Sequence, residues 1–258
     1  MKTIQEIFEY RQMIFSLVRK DLRGRYKGAV LGFLWTFINP LLQLVVYTIV
    51  FSNILRTDVD KYYLFLFVAL VPWIFFQASI VGGSSSVLSQ QDLVKKIYFP
   101  REVIPISYVT SCFVNMLFSF IIIFMVVLIS GVSLNVLGLL CLPVIMLVEY
   151  ILALGFAMIV SATTVYFRDL EHILGIVTMV WMYMTPIMYP LDFVPDNLRA
   201  VFMLNPMTPI VVAYRDVLYY GRVPHISTLL NGFLLGMITL VLGFIIFGKL
   251  KKNFAEEL

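Results

Sequence analysis

The chain has 258 residues, of which 61% are hydrophobic and 13% charged, and its mean hydropathy is +0.94. A soluble domain runs near half apolar and a quarter charged, so there are too few charges here to cover a water-facing surface. This argues against a soluble enzyme, a disordered chain or a nucleic-acid-binding protein, and the net charge of +4 matches what basic cytoplasmic loops give a membrane protein.

Residues 1–29 carry acidic side chains and no long apolar core, so they do not read as a cleavable signal. Ile4, Ile7, Phe8, Ile14, Phe15, Val18 and Leu22 fall roughly on one helical face, which predicts an amphipathic helix lying on the membrane surface. Beyond it, long stretches hold no Asp, Glu, Lys or Arg. They run 28 residues from Lys27 to Arg56, 30 from Lys61 to Asp92, 46 from Glu102 to Glu149, 18 from Glu149 to Arg168, 20 from Glu171 to Asp192 and 26 from Arg222 to Lys249. A spanning helix needs about 20 apolar residues, and Ser130-Gly131-Val132-Ser133 divides the longest stretch. The prediction is an all-α integral membrane protein with six spans, near 30–54, 62–84, 105–130, 137–166, 170–190 and 226–248, followed by a tail at 249–258. The apolar runs are continuous, not alternating, which disfavours a barrel.

With the N-terminus inside, fourteen of the nineteen Lys and Arg lie on the inner side and five on the outer, so both termini are expected in the cytoplasm. The last outer link, 191–224, contains Pro195, Pro206, Pro209 and Pro224 and apolar runs too short to span. Such runs suit re-entrant or interfacial segments, or a packed cap.

Few residues offer chemistry. Cys112 and Cys141 fall near opposite membrane faces, as do His172 and His225, so neither a disulfide nor a His pair on a metal is expected. Gly243 to Lys249 matches the start of a phosphate loop, but Leu250 stands where Ser or Thr is required and the stretch ends a spanning helix. No catalytic or metal site is expected. Gly232 and Gly236, like Gly24, Gly28 and Gly32, are spaced by four, which permits close helix packing. Glu149 is the one ionisable side chain well inside a span, and such a residue is a functional candidate by default. It is expected to be protonated or bonded to polar neighbours such as Asn115 or Gln43.

Five stretches carry a resemblance. They are Arg19 to Trp35 with Asn39-Pro40, Asp92 to Pro105, Tyr166-Phe-Arg-Asp-Leu170, Thr185 to Pro190, and Asn205 to Val217. Together they resemble the membrane subunit of an ATP-binding-cassette polysaccharide exporter, the group that includes O-antigen, capsule and teichoic-acid permeases. The resemblance covers nearly the whole chain. It implies a multi-pass protein of the bacterial plasma membrane that works as two permeases with two ATPase subunits. ATP and Mg would be held by the partner, with no cofactor on this chain, and the cargo would be a lipid-diphosphate-linked polysaccharide.

The residues agree with this on several counts. Asp92, Lys95, Lys96, Tyr98, Phe99, Arg101 and Glu102 mix charge with an aromatic pair in a cytoplasmic link bounded by Pro100 and Pro105, which suits a protein-docking surface. In the family the matching segment couples to the ATPase. Arg19, Lys20, Arg23, Arg25 and Lys27 lie where a lipid diphosphate would come in from the cytoplasm, and Arg pairs bidentately with phosphate. Attraction to anionic bilayer lipid explains the same cluster. In the family the 191–224 region gates the outer mouth, which makes Tyr214, Arg215 and Tyr219 candidates. Phe33, Trp35 and Tyr47 are channel candidates, although most aromatics suit an interfacial belt. A lipid or drug exporter shares this architecture. An ion-driven transporter is the alternative class, with Glu149 as its support.

Overall fold

The computed structural model describes residues 2–25, 27–28, 30–54 and 59–257, and these are helical with no strand among them. The helices are α1 (Lys2–Glu9), α2 (Arg11–Arg25), α3 (Trp35–Thr48), α4 (Tyr62–Ser84), α5 (Gln91–Lys96), α6 (Val103–Ile129), α7 (Val136–Tyr166), α8 (Leu170–Tyr183), α9 (Asp196–Leu204), α10 (Met207–Leu218), α11 (Ile226–Leu250) and α12 (Phe254–Glu257). The all-helical membrane expectation holds.

Among the described residues, five segments are long and apolar enough to cross a membrane: Gly32–Phe51, Tyr62–Ser84, Val103–Ile129, Val136–Tyr166 and Ile226–Asn253. The stretch expected to span at 170–190 is different. There α8 has 14 residues, about 21 Å at 1.5 Å per residue, short of the roughly 30 Å hydrocarbon core. Pro186 lacks an N–H and disfavours helical geometry at Thr185, so the chain leaves the helix and turns before Pro190.

The bundle is built around α4, which packs against α3, α6, α7, α8 and α10. Leu64 to Val71 are apolar on every face and all are buried, as expected for a helix surrounded by other helices. At the rim, α3 exposes Leu42, Val45 and Val46, and α11 exposes Leu234, Ile238 and Leu242. Their apolar faces suit lipid.

The closest helix pair is α7 with α11. A methyl group on Gly155 would sit 2.6 Å from the Leu240 nitrogen, and one on Gly243 would sit 2.6 Å from the Gly155 carbonyl oxygen. Gly232 and Gly236 also face α7, near Val148 and Leu152. The small-residue spacing therefore lets two backbones touch within one chain.

Long-range contacts define the two ends of the bundle. At one end Tyr10 donates to the Tyr98 carbonyl at 3.5 Å, Lys251 pairs with Glu102, and the Tyr166 hydroxyl donates to the Leu250 carbonyl at 2.9 Å. At the other, the Tyr62 hydroxyl donates to the Met188 carbonyl at 2.9 Å, Lys61 to the Ser130 carbonyl at 2.8 Å, and Tyr219 to the Asp60 carbonyl at 2.5 Å. The first end carries α1, α2 and the 92–102 link, with most of the basic side chains, and is called the basic end below.

Candidate functional site

At the basic end the link opens with α5. Its acid, Asp92, lies in the first turn and its bases, Lys95 and Lys96, in the last, each complementing the helix dipole. All three are exposed, and the Lys96–Asp92 contact is a loose 3.8 Å. The chain then turns extended and splits its aromatic pair. Tyr98 is 95% exposed, whereas Phe99 is only 5% exposed and packs into the core. The expected exposed pair is thus one anchor and one projecting ring, with exposed Ile97 beside it. Arg101 and Glu102 also turn inward. Arg101 donates to the Lys251 carbonyl, and Glu102, 2% exposed, accepts from Lys251 at 2.5 Å. A groove of about 730 Å³ runs between the link and Glu6 and Glu9 of α1, with Tyr10 just after them.

The basic cluster on and just after α2 divides in the same way. Arg19, Lys20, Arg23 and Lys27 are exposed. Arg25 is committed elsewhere. It donates to Asp21 at 2.9 Å, to the Ser111 hydroxyl at 3.2 Å and to the Cys112 sulfur at 3.0 Å, and it lies 5.4 Å over the Tyr108 ring. Burial opposes its charge, but Cys112, Tyr108 and Asp21 together raise its pKa, so it stays a cation. Ser111 also donates to Asp21, which completes a network pinning α2 to α6. Arg25 thus differs from the four cations expected to act with it.

Arg25 stands on the wall of two cavities. One, of about 420 Å³, is lined by Lys20, Asp21, Ser86, Ser89, Gln90 and Tyr108. The other, about 190 Å³, is lined by Trp35, Thr36, Asn39, Asn115 and Ser119. Lys20 reaches Gln90 at 3.2 Å across the larger one. Sequence reasoning missed Ser86, Ser89 and Gln90, which belong to a polar run at and just after the basic end of α4. The signal was Gly82-Gly83-Ser84-Ser85-Ser86, small and polar residues closing an otherwise apolar helix.

At the other end the gate candidates lie in or just beyond a buried helix. Every residue of α10 but Val212 is buried, and the helix packs among α4, α7 and α11. Tyr214 donates to Glu149 at 2.7 Å, so the acid's partner is Tyr214 and not Asn115 or Gln43. Asn115 instead accepts from Thr36 at 3.2 Å. The second Glu149 oxygen has no hydrogen-bond partner among the described residues. Arg215 is buried with no carboxylate paired to it among the described residues. It donates to the carbonyls of Phe65 at 3.3 Å and of Pro186 and Ile187 at 2.5 Å each, and its guanidinium lies 3.5 Å over the Phe65 ring. It thereby satisfies the carbonyls freed where α8 breaks. Asp216 pairs with Arg222 at 2.6 Å, and the half-buried Tyr219 sits edge-on to Phe65.

Asn205 is a further hub that sequence reasoning left without a role. Its side chain accepts from Trp181 at 2.9 Å and from the Met207 amide at 3.1 Å, and it donates to the Thr185 hydroxyl at 2.9 Å. It ties the end of α8 to the start of α10. The Asn-Pro pair was its signal, since this dipeptide marks turns. The channel candidates do not converge. Phe33 is exposed beside Phe37 and Phe118, Trp35 lines the smaller cavity, and Tyr47 is half-buried on α3.

Comparison with known proteins places this arrangement. The model of the ABC-2 type transporter family matches residues 12–219, from α2 to just past α10. The chain belongs to the ABC-2 transporter membrane family. It is 33% identical over its full length, and the full length of the relative, to the O-antigen export system permease protein RfbA of Myxococcus xanthus. It is 32% identical to the Klebsiella pneumoniae protein of the same name over 95% of both chains. The polysialic acid transport protein KpsM of Escherichia coli is 24% identical over 92% of both. The ABC-2 match includes both the exposed link and the buried α10, while α11 and the tail lie beyond it.

Proposed function

We propose that this ABC-2 family chain is the permease subunit of an ATP-driven polysaccharide exporter in a bacterial plasma membrane. The observation that carries the reading is the end-to-end likeness to an O-antigen export permease. In this reading two copies of the chain assemble with two ATPase subunits, which hold ATP and Mg. Both termini face the cytoplasm, and the sixth passage is made by α8 together with the turn after it. The positions of Tyr166 and Met188 at opposite ends of the bundle support that passage.

The basic end then faces the ATPase. Lys95, Lys96, Ile97 and Tyr98 project from the link, and an exposed ring among charges suits the centre of a protein interface. The lipid diphosphate of the cargo comes in along α2. Arg19, Lys20, Arg23 and Lys27 offer charge-assisted hydrogen bonds, and Ser86 and Ser89 offer hydroxyls in the adjoining cavity. Arg25 and Asp21 keep α2 seated while the head group passes. Closure of the ATPases displaces the link, and the helices joined to it open a path.

The test is to purify the chain with its ATPase, reconstitute both, and compare hydrolysis with and without a lipid-diphosphate-linked oligosaccharide. Stable association with cargo-stimulated hydrolysis is expected. A folded chain that neither binds the ATPase nor responds to the oligosaccharide would overturn the reading and favour an ion-driven carrier centred on Glu149.

A further inference from the structure

The tail beyond α11 is short, lies outside the family match, and yet holds several specific contacts. Lys251 reaches Glu102 at 2.5 Å, and Glu102 is almost fully enclosed. A buried carboxylate requires a partner, and among the described residues its cation is Lys251. Arg101 donates to the Lys251 carbonyl and lies 5.7 Å over the Phe254 ring. Phe254 is fully buried, 5.5 Å from Phe247 of α11 and 6.4 Å from Tyr166 of α7. The two residues just before α6 are thus tied to the end of α11 by an ion pair, a side-chain hydrogen bond to a backbone carbonyl and a ring.

The position of this clamp matters. Arg101 and Glu102 end the link whose other face, at Tyr98, is exposed. On the far side, α11 lies on α7 with the backbone contact at Gly155 and Gly243, so the two cannot slide past one another without a clash. A displacement of the link therefore has a rigid route into α11 and α7, separate from the one through α6.

We propose that Lys251 and Phe254 are positioning residues for energy coupling, fastening the partner-facing link to α11 so that the two move together. The proposal rests on the reading that the link receives the motion of the ATPase. A tail that merely finished the fold would affect stability and leave the coupling ratio alone.

The test uses the reconstituted complex with a lipid-diphosphate-linked oligosaccharide, comparing wild type, Lys251→Met, Phe254→Leu and the exchange Glu102→Lys with Lys251→Glu. ATPase association, basal hydrolysis, cargo-stimulated hydrolysis and cargo moved per ATP are measured together. Lys251→Met and Phe254→Leu are expected to keep association and basal hydrolysis while cargo moved per ATP falls at least ~5-fold, the low end of typical coupling free energies. The charge exchange is expected to recover a large part of that loss. Wild-type coupling in both single variants, or an exchange no better than Lys251→Met at equal assembly, would overturn the proposal. Failure of both single variants to assemble would also overturn it, because the tail would then be a folding element. Failure of the wild-type chain to bind the ATPase would instead overturn the reading on which the proposal rests.

Discussion

The link at the basic end and α10 at the other end are written in the same alphabet, charged residues beside aromatic ones. The link leaves Tyr98 and Ile97 in the open and holds Asp92 and Lys96 in a loose pair. In α10 Tyr214, Arg215 and Asp216 each find a partner inside the protein and are buried. The difference lies in what surrounds each segment. The link follows the end of α4, where no helix covers its outer face, whereas α10 is wedged among α4, α7 and α11. The exposure of Ile97 and Tyr98, and not the composition shared with α10, is therefore what supports the docking proposal for the link.

Four substitutions test this contrast. The largest effect is expected from Arg215→Ala, which strips the Pro186 and Ile187 carbonyls of their donor. Leaving buried acceptors unmet costs about 1–3 kcal/mol each, so the variant should lose most of its folded yield and melt well below wild type in detergent. A melting temperature near wild type would mean that α10 is as open as the link. Next is Gly155→Ala, where a Cβ meets α11 backbone that cannot move aside. Overpacking of this kind costs about 1–3 kcal/mol, read as a lowered unfolding midpoint. Tyr98→Ala should leave that midpoint unchanged, since the ring is exposed, and weaken ATPase binding about tenfold, the size expected for loss of about 1.4 kcal/mol at an interface. Equal affinity would remove Tyr98 from the docking surface. The smallest effect is expected from Glu149→Gln. The amide oxygen still accepts from Tyr214, so stability should change by less than about 1 kcal/mol and export should continue. Abolished export with intact assembly would make Glu149 a transport residue.

Much of the fold was legible because its cause is local. Charge-free runs long enough to span need no knowledge of the tertiary structure: the helices at Tyr62, Val103 and Ile226 begin close to where those runs begin, and the one at Val136 follows the Ser130-Gly131-Val132-Ser133 break. The fifth expected span was misjudged in length because the break is set by Pro186 and then stabilised from a distance by Asn205 and Arg215. The sites were less legible for a related reason. Composition marks the link and α2 as basic and aromatic, but whether a side chain points out or in depends on neighbours far along the chain. Phe99 and Arg25 turn inward because core residues and Asp21, Ser111 and Cys112 receive them. The pairing of Lys251 with Glu102 links residues 149 positions apart, and no local spacing announces it.

The central claim is that the basic end is the partner-facing end and the far end is not. The most direct measurement is thiol labelling of Tyr98→Cys and Tyr220→Cys, each in a chain lacking Cys112 and Cys141, in sealed inside-out vesicles with and without the ATPase. Both rings are exposed, and they lie toward opposite ends of the bundle. The account predicts that an impermeant reagent labels position 98, does not label 220, and loses access to 98 when the ATPase is added. Labelling of position 220 with protection at 98 absent, or equal labelling of 98 with and without the ATPase, would contradict it.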